Sequence, residues 1–147
     1  MIAKVREAGA SIRLIPDGDI AGVIATATPK TGIDIYMGTG GAPEGVLAAA
    51  ALRSIGGQMQ GRLVFRNDDE RTRARRVGIE DLDAKYDLDQ LASGDVIFTA
   101  TGVTDGWMLD GVHRDGDAVT THTLVMRSKT GTVRWIKARH AAGKVNS

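Results

Sequence analysis

The sequence predicts an α/β protein: a layered αβ sandwich unit with a mixed sheet flanked by helices, and antiparallel strands toward the C-terminus. Three observations carry this prediction. The first half alternates helical and strand-like segments in the order helix, strand, helix, strand, helix. The second half has strand-like runs at 96–100, 118–127 and 132–139 around Asp-Gly pairs at 105–106, 110–111 and 115–116, and such pairs favour hairpin turns. The composition is that of a globular protein, with 42% hydrophobic and 25% charged residues in 147. That length fits one domain over residues 1–147, large enough to bury a core.

Taken in order, residues 1–8 read as a short helix with apolar Ile2 and Val5, stopped by Gly9. Residues 11–15, Ser-Ile-Arg-Leu-Ile, read as a strand, and Pro16-Asp17-Gly18-Asp19 as the turn after it. Ile20, Val23, Ile24 and Ala27 have helical spacing, and the breakers from Pro29 to Gly32 end that segment. Residues 32–37 read as a second strand, then Gly38-Thr39-Gly40-Gly41-Ala42-Pro43-Glu44 leads into an Ala- and Leu-rich helix over 46–55. Gly56-Gly57 closes it and residues 58–65 form a strand. A charged helix over 67–77 carries Asp69 and Arg73 at i,i+4, and a short helix spans 88–92. Strands are expected at 96–100, 107–112, 118–127 and 132–139, with 141–147 as a tail.

Composition removes several function classes. A net charge of +1 argues against a nucleic-acid coat, and 4% aromatics leave little for base stacking. The absence of cysteine excludes disulfides, thiolate metal sites and a cysteine nucleophile. No apolar run reaches membrane-spanning length and no signal-peptide pattern starts the sequence, so no membrane partner and a cytoplasmic location are expected.

The chemistry concentrates in the Gly-rich turn. Glycines allow tight backbone and close ligand approach, Pro43 suits a helix start, and a helix N-terminus attracts anions. Glu44 in the first turn complements the helix dipole, and an ionised carboxylate is also what a hard divalent cation takes as a ligand. Asp17 reads first as the cap of the following helix. With Asp19 it also forms a carboxylate pair able to hold a cation or accept bonds from sugar hydroxyls. The spacing Gly38-x-Gly40-x-x-Pro43 fails the dinucleotide fingerprint at its third glycine, and the P-loop lysine is missing. The arginines of 66–76 are interleaved with acids and read as a solvated helix face. Asp81-x-Asp83-x-Lys85 lacks the rest of a calcium loop, and His113, His122 and His140 have no zinc spacing.

Residues 36–50, with Gly41-Ala42-Pro43-Glu44 at their centre, resemble the signature of class II fructose-1,6-bisphosphatases. These belong to the metal-dependent, lithium-sensitive sugar phosphatases. Ile15-Pro16-Asp17-Gly18-Asp19 resembles that family's substrate loop, and residues 57–62 and 101–106 match its C-terminal half. The resemblance implies hydrolysis of the 1-phosphate of fructose 1,6-bisphosphate, a gluconeogenic step, with Mn²⁺ or Mg²⁺. It implies Glu44 as a metal ligand and Asp17, Gly18, Asp19 and Gly41 as substrate contacts. Family members carry a preceding domain with the other metal-binding acids and the groups that hold phosphate, none of which maps onto this sequence. The sequence therefore reads as the C-terminal half, with the N-terminal domain absent, and is expected to be inactive alone. A non-catalytic sugar-phosphate-binding module, or the complement of a separate N-terminal chain, is the alternative. The face left open by that domain predicts homo-oligomers.

Overall fold

The computed structural model describes residues 1–141. The helices are α1 (Ile2–Glu7), α2 (Asp19–Ala25), α3 (Ala42–Ile55), α4 (Asp68–Arg76) and α5 (Leu88–Leu91). The strands are β1 (Gln60–Arg62), β2 (Lys85–Asp87), β3 (Ile97–Thr101), β4 (His113–Asp115), β5 (Ala118–Arg127) and β6 (Thr132–Ala141). The expected layered αβ unit is observed, with helices packed on an antiparallel sheet. The sheet expected to be mixed contains antiparallel pairs throughout the described residues.

Strand β5 is the spine. It pairs along its whole length with β6, from Ala118↔Ala141 to Arg127↔Thr132. Strand β3 pairs with its second half and β4 with its first three residues. The β4–β5 hairpin turns through Gly116-Asp117, where Gly116 adopts φ 54, the left-handed conformation that such two-residue turns require. Leu124 and Met126 are buried two residues apart on β5, the alternation of a strand with one face on a core. They meet Ile24 of α2, Ala51 of α3, Phe98 of β3 and Leu109.

Helix α3 lies against this core. Ala48 to Leu52 and Ser54 are buried, so the helix is covered nearly all round and its small side chains permit close packing. The buried Ser54 hydroxyl donates to the Ala50 carbonyl at 2.9 Å, which removes the cost of an unpaired polar group. The helix starts four residues earlier than expected, with Gly41 as N-cap and Pro43 in its first turn, and Gly56 at φ 81 closes it. Arg53 pairs with Asp89 and donates to the Gly94 carbonyl at 2.8 Å, fastening α3 to α5 and the segment after it. Helix α5 is set by a capping box between Asp87 and Gln90.

Three expected strands are absent. Residues 11–15 and 32–37 have no regular secondary structure, and 107–112 belongs to an irregular loop. Their β-branched residues favour extended backbone, but a strand exists only through a paired ladder, and among the described residues none pairs with these segments. The strand expected over 58–65 contracts to the short β1 for the same reason. In α4 the supporting partner of Arg73 is Glu70, at 4.0 Å, and not Asp69. Glu70 also takes Arg66 at 2.6 Å, and Asn67 caps the helix through the Glu70 amide. The tail expected at 141–147 lies, beyond Ala141, outside the described residues.

Candidate functional site

The two segments singled out in the sequence meet. Gly18 precedes α2 with φ 73, and Asp19 is that helix's first residue. The helix carries no side-chain cap: Gly18 occupies the N-cap, so the capping role expected of Asp17 is not realised. A capping side chain must sit at the N-cap itself to reach the first free amides, and Asp17 lies one residue too early. Asp17 is instead exposed in the bend before α2.

Asp19 reaches across to the Gly-rich turn. Its Oδ2 lies 3.6 Å from where a Gly40 Cβ would stand. At the other end of the turn the Glu44 carboxylate folds back over Gly41, so closely that any Cβ on Gly41 would collide with it. Gly41 itself has extended backbone, φ −69 and ψ 152, so no left-handed conformation requires glycine there, and a side chain at 41 would move the exposed Glu44 carboxylate aside. Asp19, Gly40, Gly41 and Glu44 thus share one exposed rim between the N-termini of α2 and α3. Gly18 stands beside them through Asp19, and Asp17 one residue further out.

Tyr36 supports this rim and was not singled out by the sequence. Its ring sits between Gly22 of α2 and Gly38: a Cβ on Gly22 would lie 3.0 Å from Cε2, and one on Gly38 would lie 2.8 Å from the hydroxyl oxygen. Burial of the ring, and after it the negative charge of the nearby Asp19 carboxylate, push the Tyr36 pKa up. The signal available in the sequence was the pairing of one aromatic with glycines two residues later and on the preceding helix.

Glu44 is a single carboxylate. Among the described residues no three His, Asp or Glu side chains gather as a cation cage. The donor type fits a hard divalent ion, but one oxygen ligand set leaves most coordination positions to other groups.

A second polar constellation lies on the sheet. His122 of β5 accepts the Asp110 amide at Nδ1 (3.0 Å), while Lys137 of β6 holds the Asp110 carboxylate at 2.6 Å. Asp105 accepts from the Gly111 amide at 2.8 Å and faces His113 Nε2 at 2.8 Å. The Lys137 ammonium depresses the Asp110 pKa, and the Gly111 amide followed by His113 depresses that of Asp105. Sequence reading took the Asp-Gly pairs at 105 and 110 as hairpin turns. They are instead the fasteners of loop 102–112, which packs so tightly that a Cβ on Gly111 would lie 2.7 Å from the Thr104 carbonyl carbon.

The model of the family described as bacterial fructose-1,6-bisphosphatase, glpX-encoded, matches residues 1–140. The chain belongs to this family. Among its curated class 2 relatives, the D-fructose 1,6-bisphosphatase class 2/sedoheptulose 1,7-bisphosphatase of Synechococcus sp. (strain JA-3-3Ab) is 41% identical over 95% of this chain and 44% of its own length. The protein of the same name from Trichodesmium erythraeum (strain IMS101) is 38% identical over all of this chain and 46% of its own. The chain spans about half the length of the curated class 2 bisphosphatases it matches. No described helix is long and apolar enough to cross a membrane.

Proposed function

We propose that this chain contributes the sugar-binding rim and one metal ligand to a class II fructose-1,6-bisphosphatase site. The observation that carries the reading is the convergence of Asp19 with Gly40, and of Glu44 with Gly41, at two adjacent helix N-termini. Asp17 and Asp19 would accept hydrogen bonds from sugar hydroxyls, and Gly18 and Gly41 would let the substrate approach the backbone. Glu44 would hold Mn²⁺ or Mg²⁺, which supplies charge neutralisation and polarisation of the phosphate when bound. In the reaction, water adds to the 1-phosphorus and the bond from phosphorus to the sugar oxygen breaks. The products are the sugar monophosphate and inorganic phosphate. The cytoplasm is the compartment this reading carries with it.

The rim binds and orients, and a lone carboxylate does not build a phosphoryl-transfer clamp. The 147-residue chain alone is therefore expected to bind fructose 1,6-bisphosphate weakly and not to turn it over. Calorimetric titration of the bisphosphate at millimolar concentration tests the binding, and absence of heat would overturn it. Turnover by the pure chain would overturn the division of labour.

A second reading, complementation by a separate N-terminal chain, is favoured by apolar side chains flanking the same turns. Leu14 is 70% exposed, Ile35 65% and Met37 51%, more apolar surface than an isolated rim needs. A gene beside this one encoding the matching half, and recovery of turnover on mixing the two products, would support it. Self-association through the same residues is the competing outcome, which a single monomeric species in sedimentation would exclude.

A further inference from the structure

We infer that the cleft between loop 102–112 and the strands β4, β5 and β6 is a binding site for a phosphate group, free or esterified. The inference goes beyond the reading above, because none of the cleft's residues belongs to the rim of Asp19, Gly40, Gly41 and Glu44. Alternation along β5 places Thr120 and His122 on the face that buries Leu124 and Met126 further on. Register sets His113 and Arg139 opposite Thr120, and Lys137 opposite His122, so all five share that face. The apolar cluster ends at Leu124 on this strand, and past it the face turns polar. Asp110 and Gly111 wall the other side, leaving a cavity of about 240 Å³. Enclosing a drug-sized ligand takes roughly 300–1,000 Å³. The cleft therefore suits a small anion, or the phosphate end of a larger molecule.

The His122 imidazole decides the chemistry. Its Nδ1 lies 3.0 Å from the Asp110 amide, which can only donate, so Nδ1 accepts and the ring proton sits on Nε2. Among the described residues this Nε2–H has no acceptor, although the side chain is only 13% exposed. A donor so largely buried calls for an acceptor. Two cations stand beside it. Lys137 lies 2.6 Å from the Asp110 carboxylate and offsets the one acidic side chain of the lining. Asp105, outside the lining, is taken by His113 Nε2 at 2.8 Å. Arg139 forms no ion pair among the described residues, so the cleft keeps a positive charge. An imidazole N–H, a guanidinium and an ammonium on two neighbouring strands match the several charged oxygens of a phosphate better than the two coplanar ones of a carboxylate.

Imidazole NMR of the 147-residue chain tests this site separately from the rim, since the three histidines are His113, His122 and His140. The first two line the cleft, and His140, opposite Val119, is on the other face of the sheet and serves as the control. Inorganic phosphate, added at constant pH and ionic strength, is expected to shift His122 along a saturating curve with a millimolar midpoint while His140 stays in place. Arg139→Gln, at an exposed position, should melt like the wild type and bind phosphate about three- to tenfold more weakly, the worth of one hydrogen bond. Arg139→Lys, which keeps the charge, should lose less. Saturation by phosphate shows that the free ion suffices; saturation by fructose 1,6-bisphosphate alone assigns the site to an esterified phosphate. No saturating His122 shift with either ligand overturns the inference, as does acetate binding as tightly as phosphate, or wild-type affinity in Arg139→Gln. Glu44→Gln should leave the His122 curve unchanged, and a weakened curve would move the anion to the rim and overturn the cleft. None of these failures touches the rim reading, whose own titration reports bisphosphate binding.

Discussion

The segment that bears the candidate chemistry and the sheet that follows it are built on opposite principles. From residue 10 to 41 the backbone is mostly irregular and in no strand ladder, with α2 as its one helix, and the rim is set by glycines and one tyrosine. From Ile97 to Ala141 the chain is a ladder, with β5 bonded on both sides and loop 102–112 fastened by Asp105, Asp110, His113 and His122. The ladder pairs its own backbone and buries Leu124 and Met126 against α2 and α3. Both regions leave apolar side chains in solvent, Leu14, Ile35 and Met37 near the rim and Val103, Trp107 and Trp135 in the sheet half, but only the rim also exposes the candidate carboxylates Asp17, Asp19 and Glu44. Stability and function are therefore expected to respond to different substitutions.

The largest effect expected on stability is at the spine. Leu124→Ala removes a side chain that is 1% exposed, and should cost about 2–5 kcal/mol in chemical denaturation. Ligand binding should weaken only to the extent that the protein unfolds. Next comes Gly111→Ala, whose Cβ would press on the Thr104 and Asp105 backbone. It should cost about 1–3 kcal/mol through overpacking and detach loop 102–112, read as faster amide exchange at Asp110. If either substitution destroyed sugar binding in a protein that still folds, the division between the two regions would fail.

Acid should also separate them. Asp105 and Asp110 have depressed pKa values, so they bind fewer protons folded than unfolded near their titration range. Their contribution is complete above the unfolded value of about 3.9 and is lost as pH falls through the lower folded values. The melting temperature of the wild type should therefore fall with acid more steeply than that of Asp105→Asn. Because both carboxylates are exposed, the difference is modest and should shrink in salt. The smallest stability effect is at the rim: Glu44→Gln forfeits a dipole interaction of about 0.3–1 kcal/mol. Its Mn²⁺ affinity, followed by spin resonance, should nevertheless fall several-fold. A rim substitution that melts the sheet, or one that leaves metal affinity untouched, would each break the comparison.

The Glu44 turn was legible because its signals are local. Pro in the first turn, a carboxylate beside it and glycines before it describe a helix start wherever the helix packs. Helix α3, the antiparallel pair β5–β6 and the hairpin at Gly116 were legible for the same reason. Residues 11–15 and 32–37 were misread because β-propensity reports a preference for extended backbone, while the partner that makes a strand is supplied from elsewhere. The roles of His122 and Asp110 were hidden because twelve residues separate a side chain from the amide it accepts.

The sequence by itself determined the family, the helix that presents Glu44 and the antiparallel strands β5 and β6, and it singled out Asp17, Gly18, Asp19, Gly41 and Glu44 as candidates. Periodicity, turn chemistry and capping act within a few residues, so they can be read without coordinates. Only the tertiary structure brought Asp19 to Gly40, slid Tyr36 between Gly22 and Gly38, and turned two Asp-Gly pairs into the clasp of a loop. Those relations depend on which surfaces pack together, and packing is a property of the whole chain and not of any one stretch of it.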